Sequence, residues 1–203
     1  MKKLDVQDLR ASEFHQHMLR IVVPRPIAWV STCSADAVSN IAPFSYFTAV
    51  GSRPPSLLFC PANRRDGSPK DTMANIEQTG EFVVNVVTDE LAERMNLTSA
   101  ELSPAESEFE LAKLETAESV RVSVPRVAES PVQMECRLRE LIRVGDGPGG
   151  ANIVLGEVVF LHMDPSVLDD QGLVDPELLN AVGRMGETGY CRTRDRFDLQ
   201  RPQ

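Results

Sequence analysis

"PVQMECRLRELIRVGDGPGGANIVLGEVVFLHMD", residues 131–164, can be read in two ways that lead to different folds. Gly145, Gly147 and Gly150 match GxGxxG, which in a dinucleotide-binding unit leads from a strand into a helix. The alternative is a hairpin, with two long runs rich in apolar and β-branched residues joined by "DGPGG". The residues after Gly150 decide between them. "ANIVLGEVVF" carries β-branched residues and Gly156 where a helix is required, and Pro148 sits inside the loop. The stretch is therefore a pair of antiparallel strands.

Outward from this hairpin, strands dominate. "RPIAWVSTCS" (25–34), "NIAPFSYFTAVG" (40–51) and "PPSLLFCPAN" (54–63) are strand-like, with prolines at or near their starts. "EFVVNVVT" (81–88) is almost continuously apolar, which implies burial on both faces. "DELAERMNLTS" (89–99) has the helical spacing of Leu91 and Met95, with acids in its first turn. Residues 99–130 mix acids, small residues and prolines, and predict short helical turns and a connecting loop. "PSVLDDQGLVDPELLNAVGRMGETGY" (165–190) predicts turns and a short helix packed on the main body. Helices are too few to supply a crossover after each strand, so a doubly wound sheet is disfavoured. The expectation is a mainly β fold, a closed or partly closed barrel with a few peripheral helices. No composition shift divides the chain before about residue 165. It is read as one domain over 1–203, with arms at about 1–20 and about 191–203.

Composition narrows the function. The chain has 203 residues, of which 42% are hydrophobic and 25% charged, enough for a core without staples. A net charge of −9 disfavours a nucleic-acid partner, since nothing concentrates cations for phosphate neutralisation. The tail "YCRTRDRFDLQRP" has four arginines, but Asp195 and Asp198 interrupt them, and it reads as a solvated or partner-docking arm. No apolar run approaches the about 20 residues of a membrane helix. "MKKLDVQDLRASEFHQH" lacks the apolar core of a secretory signal. Cys33, Cys60, Cys136 and Cys191 form no CxxC, which suits free thiols in a reducing cytoplasm. His15 and His17 have no third ligand at a suitable spacing, so no metal is expected. There is no GxSxG, and Glu106, Glu108 and Glu110 read as a polar helix or loop face. No side chain stands out as a catalytic nucleophile or acid, so a bound cofactor would have to supply the reactivity.

"GSPKDTMANIEQTG" (67–80) predicts a helix with Ser68 as N-cap, Pro69 in the first helical position and Asp71 as the capping-box acid. Gly80 closes it. Lys70 then places a cation in the first turn, where the helix dipole opposes it. Either the ammonium reaches away as a surface group, or it joins the helix N-terminus and Thr72 in holding a phosphate. "STCSADAVSNIAPFS" (31–45) offers Ser31 and Thr32 as adjacent hydroxyls at a strand end. Pro43 there frees neighbouring backbone groups from the ladder, useful beside a planar heterocycle. A plain β-turn with an edge-strand proline accounts for the same residues.

The segments "RPIAWVST", "NIAPFSYFTAV", "PPSLLF", "KDTMANIEQTGEFVVNVV", "EFELAKL", "PRVAESPVQMEC" and "VLGEVVFLH" occur in the order seen in flavin reductase-like proteins. The chain resembles that family from about residue 20 to about residue 190. The resemblance implies a split β-barrel of antiparallel, Greek-key-type strands, and a homodimer binding FMN near the dimer interface. It places the FMN phosphate near Ser31, Thr32 and Lys70, and the ring against Asn40, Ala42, Pro43 and Ser45. Trp29 would flank the cofactor, Asp71 and Thr72 would support it from the helix start, and Arg184 is similar to an arginine recurring near the family's C-terminus. The implied activity is hydride transfer from NAD(P)H to flavin, then onward to free flavin, a partner oxygenase or a small acceptor. The alternative is a flavin-binding electron carrier with little reductase turnover. Arg64 and Arg65 depart from the family's pattern, and are read either as aids to a second phosphate such as that of NADPH or as exposed loop charges.

Overall fold

The computed structural model describes residues 1–103 and 106–202. Pro104 and Ala105, in the stretch expected to form turns, and Gln203, at the end of the C-terminal arm, lie outside the described residues. The strands are β1 (Ala28–Cys33), β2 (Ser39–Phe44), β3 (Phe47–Ser52), β4 (Pro55–Phe59), β5 (Glu81–Asn85), β6 (Thr116–Ala117), β7 (Arg126–Val127), β8 (Val132–Arg143), β9 (Asn152–Met163), β10 (Val182–Met185) and β11 (Gly189–Arg192). The α-helices are α1 (Ala11–Ile21), α2 (Asp71–Thr79), α3 (Ala92–Leu97), α4 (Glu108–Leu111) and α5 (Pro176–Leu179).

β8 and β9 form the expected hairpin, paired from Val132 opposite Met163 to Arg143 opposite Asn152. Its glycines serve the turn. Gly147 has φ +74°, and a Cβ on Gly150 would lie 2.2 Å from the Gly145 carbonyl oxygen. This hairpin is the middle of a seven-stranded sheet in the order β2-β1-β5-β8-β9-β4-β3. Every neighbouring pair in it is antiparallel.

The sheet rolls around one core. Phe44 on β2 and Phe59 on β4 lie near opposite ends of the strand order, yet their ring centroids are 5.2 Å apart. Val30, Phe82, Val84 and Val154 fill the same interior. No ladder joins β2 to β3 among the described residues, so the barrel stays open between them. This explains a difference from the sequence reading. "NIAPFSYFTAVG" is not one strand but two, broken at Ser45 and Tyr46, because β2 must pair with β1 while β3 pairs with β4 at the far edge. A second core lies on the outer face of β1, where Trp29 and Ile27 pack with Ile41, Met95, Phe109 and Val127.

Further elements were not expected, among them a short β6–β7 ladder within residues 99–130. The N-terminal arm contains α1, where the Glu13 carboxylate accepts the Arg10 backbone N–H at 3.0 Å and the Arg10 guanidinium at 2.8 Å. The segment 165–190 ends in β10, which pairs with β11 from Val182 opposite Arg192 to Met185 opposite Gly189. Among the described residues no helix is long and apolar enough to cross a membrane.

Candidate functional site

Helix α2 begins two residues later than its sequence suggests, and local hydrogen bonds explain why. Ser68 does not cap it, because its Oγ and its N–H both donate to Asp66 Oδ1, at 2.6 and 2.9 Å. Asp71 is the first helical residue rather than a capping-box acid, and its carboxylate accepts from Arg64 at 2.5 Å. Arg64 also donates to the Pro69 carbonyl at 2.8 Å. Lys70 takes the N-cap position in extended conformation and makes no side-chain cap. The backbone N–H groups of Asp71 and Thr72 therefore have no acceptor among the described residues. Gly80 ends the helix in the left-handed region, as the sequence predicts.

Behind this helix end lies a network of amides and hydroxyls. Asn40 Nδ2 donates to Thr72 Oγ1 at 3.0 Å and to Thr32 Oγ1 at 3.2 Å, and Asn75 Nδ2 donates to Thr32 Oγ1 at 3.0 Å. The Thr72 oxygen is thus occupied as an acceptor, while its hydrogen stays available for an outside acceptor.

Ser31 and Thr32 are not the exposed strand-end hydroxyls that the sequence predicts. The ladder with β2 continues to Cys33 opposite Ser39, so both lie inside β1 and both are fully buried. Ser31 Oγ donates to the Pro125 carbonyl at 2.7 Å and accepts from Asn85. Trp29, on the same face of β1, donates from Nε1 to Thr98 Oγ1 at 2.9 Å.

Two adjoining cavities share Pro43 and Ser99. The smaller, about 70 Å³, is lined by Asn40, Ala42, Pro43, Lys70, Asp71 and Thr72 among others. The larger, about 360 Å³, has Pro43, Ser45 and Arg184 in its walls, together with Tyr46 and Tyr190. Eight of the residues named from sequence thus meet along one cleft, whereas Trp29, Ser31 and Thr32 line neither part. Arg184 on β10 donates to the Tyr190 hydroxyl and the Glu187 carbonyl, with its guanidinium 4.5 Å from the Tyr190 ring centroid.

Sequence reasoning missed two charged groups here. Glu108 is not a solvated acid: it is 6% exposed, faces the smaller cavity, and accepts the Ile41 N–H at 3.1 Å. Burial pushes its carboxyl above the usual range; Asp71 adds to this, and the Ile41 N–H and Arg64 oppose it. Arg25 is 3% exposed and reaches the larger cleft from its wall. Its Nη1 donates to the Leu19 and Val22 carbonyls at 2.6 and 2.9 Å, its Nη2 to the Gly186 carbonyl at 3.0 Å, and its Nε to Ser45 Oγ at 3.2 Å. The available signal was its place as the one charge in the apolar run "IVVPRPIAWV", residues 21–30. His15, for which the sequence offers no metal-site partner, is exposed on α1 at the edge of the same cleft, with its ring centroid 6.4 Å from that of Tyr46.

The molecule has close structural relatives. Component B of nitrilotriacetate monooxygenase from Bacillus cereus superposes with a TM-score of 0.92 at 33% identity, covering 98% of each chain. The 2-nitrobenzoate 2-nitroreductase NbaA of Pseudomonas fluorescens gives 0.89 at 30% identity, covering 99% of this chain and 96% of that one. A split-barrel protein of Shewanella frigidimarina gives 0.84 at 22% identity over the full length of both chains, which identifies the rolled open sheet as a split barrel. The family model described as flavin reductase like domain matches residues 18–189. A rolled antiparallel sheet, a cleft beside a helix N-terminus and a match over most of the length lead to one conclusion: the chain belongs to the flavin reductase-like family.

Proposed function

We propose that the protein binds FMN, with the phosphate in the smaller cavity and the ring in the larger cleft, and acts as an NAD(P)H-dependent oxidoreductase of the flavin reductase type. The observation that carries this reading is the unpaired helix end: two free N–H groups, Lys70 and the Thr72 hydroxyl converge on a cavity that continues into a cleft. Each of these can donate, and a dianionic phosphate is the acceptor they suit, although Asp71, Glu101 and Glu108 line the same cavity. With a net charge of −9 on the chain, such local donors are needed to capture an anion.

The bound flavin supplies a ring that takes up a hydride and later gives its electrons to an acceptor. The chain's own residues bind and orient. β2 is an edge strand, and since Glu108 takes the Ile41 N–H and Pro43 has none to give, the outward groups it leaves for the ring are mainly carbonyls. Asn40, which donates to both Thr32 and Thr72, holds Thr72 in place, while Trp29 and Ser31 brace β1 from its far face. No side-chain nucleophile is required. The open side of the larger cleft gives a nicotinamide room to stack on the ring.

The same proposal includes a homodimer with the site near its interface, one FMN-binding unit over 1–203, and a cytoplasmic location. The monooxygenase component and the nitroreductase support an acceptor that is either a partner oxygenase or a small molecule. The test is the visible spectrum of the purified protein with FMN or FAD, followed by NADH or NADPH without oxygen. Flavin bands perturbed by binding and bleached by a nicotinamide are expected. Bound flavin that resists both donors indicates the electron carrier instead, and no binding overturns the proposal.

A further inference from the structure

Arg25 has an unusual surrounding for a buried cation. Burying a charge is costly unless an opposite charge accompanies it. Its four hydrogen bonds end on three carbonyls and one hydroxyl, and no carboxylate lies within ion-pair distance among the described residues. A neighbouring charged group, Arg184, is of the same sign. Arg25 and Arg184 face each other across an antiparallel bridge, with the N–H of each donating to the carbonyl of the other at 3.0 and 2.8 Å. The one acid beside them, Glu187, is drawn to Arg20 at 3.5 Å. Tyr46, whose ring centroid is 6.0 Å from the guanidinium, is joined by His15, Cys60 and Tyr190 as the other titratable groups lining this cleft. Two arginines thus line one cleft, and the Glu187 carboxylate there is ion-paired to Arg20 rather than to either of them.

Resting on the FMN proposal, we infer that Arg25 is a positioning residue that sets the redox balance of the bound flavin, its unpaired charge behind Ser45 favouring the reduced ring. A hydride brings two electrons and one proton from a dihydronicotinamide, which leaves as the oxidised, positively charged nicotinamide. The ring gains one negative charge, which a second proton would cancel. A fixed cation in a low-dielectric wall stabilises the charged product more than the neutral oxidised ring. Ser45 couples the two, because its hydroxyl accepts from Arg25 Nε and so keeps its own hydrogen for a group in the cleft. Arg25 also ties the end of α1 to the β10–β11 turn, which fixes the charge in place.

The experiment is an anaerobic redox titration of the FMN-loaded protein against a dye of known potential, for wild type, Arg25→Gln and Arg25→Lys. The expected result for Arg25→Gln is at least a tenfold loss in the preference for reduced over oxidised FMN, a midpoint lowered by about 30 mV. Arg25→Lys keeps the charge and should recover most of that shift, which a purely structural role would not predict. A second measurement needs no variant. In mildly acidic buffer the wild-type midpoint should move by about 30 mV per pH unit, one proton per two electrons, where free FMN approaches twice that slope. An Arg25→Gln protein that binds FMN at an unchanged midpoint overturns the inference, as does a wild-type slope equal to that of free FMN. Failure of wild type to bind FMN at all would instead remove the functional reading on which it rests.

Discussion

Glu135 on β8 and Arg25 before β1 are both nearly inaccessible, at 0% and 3% exposure, yet they are compensated in opposite ways. Glu135 accepts the successive N–H groups of Val120, Arg121 and Val122 at 2.7, 2.6 and 3.2 Å, and His162 Nε2 lies 2.5 Å away. It lines neither cavity, and every partner it needs comes from its own chain. Arg25 adjoins the cleft and has dipoles but no anion. The α2 terminus repeats the second pattern, with N–H groups left open beside a lysine. Away from the cleft the chain satisfies its buried polar groups internally. Beside it, donors are left for a ligand to complete.

The strongest way to break this contrast is to empty the self-satisfied side. Glu135→Ala strands three buried N–H groups and the histidine, and should cost about 3–5 kcal/mol in urea unfolding. Flavin affinity of the folded protein should be unaffected. The pH dependence has a definite sign. Burial raises the Glu135 carboxyl, but the His162 contact and the Val120 and Arg121 N–H groups outweigh it and hold the group below the usual carboxylate range. Its stabilisation is therefore present above the unfolded value of about 4.3 and lost as pH falls through that value toward the folded one. Urea midpoints between pH 6 and pH 3 should fall more gently in Glu135→Gln than in wild type.

Packing separates the two regions as well. A Cβ on Gly156 of β9 would lie 2.3 Å from Phe82 Cζ, inside the barrel core. Gly156→Ala must displace that ring, and overpacking of this kind costs about 1–3 kcal/mol, read as a lowered urea midpoint. A change under 0.5 kcal/mol would mean that the barrel interior yields more readily than its burial implies.

The legible part of the sequence obeys the same division. The hairpin could be read from glycines and β-branched runs because turn and strand preferences are local. That Lys70, Asn40 and Pro43 would come to one cleft could be read because strand-end, edge and helix-start positions are also marked locally. The start of α2 was misplaced because Asp66 takes Ser68 and Arg64 takes Asp71, and several acceptors compete within six residues. Ser31 and Thr32 looked exposed because nothing in their own segment shows that the ladder runs on to Cys33. Arg25 stood out only as a charge among apolar residues. Its carbonyl partners at positions 19, 22 and 186 are brought to it by the tertiary fold.

Lys70 tests the open side directly. Its ammonium has no carboxylate partner among the described residues and lies 5.8 Å from the Phe44 ring centroid. Lys70→Ala should weaken FMN by about tenfold or more, the scale of one charged hydrogen bond, and leave urea stability within about 0.5 kcal/mol of wild type. Riboflavin, which lacks the phosphate, supplies the control. If its affinity falls equally, Lys70 acts on the ring or the fold and the phosphate assignment fails.

The smallest effect expected is at Glu108, where the two patterns meet: a buried acid satisfied by Ile41 but facing the cavity that calls for an anion. Its carboxyl sits above its unfolded value, so its contribution is fully present below that value and is lost as pH rises through the folded one. Glu108→Gln removes this loss, and the amide oxygen can still accept the Ile41 N–H. The variant should match wild type near pH 4 and gain a few tenths of a kcal/mol at pH 8, on the scale of an ordinary surface change. It should also bind FMN about threefold more tightly at pH 8, since one negative charge no longer faces the phosphate. An unchanged affinity for FMN together with the stability gain would place Glu108 in the fold alone, and would move the boundary between the self-satisfied region and the cleft to the line of Lys70 and Thr72.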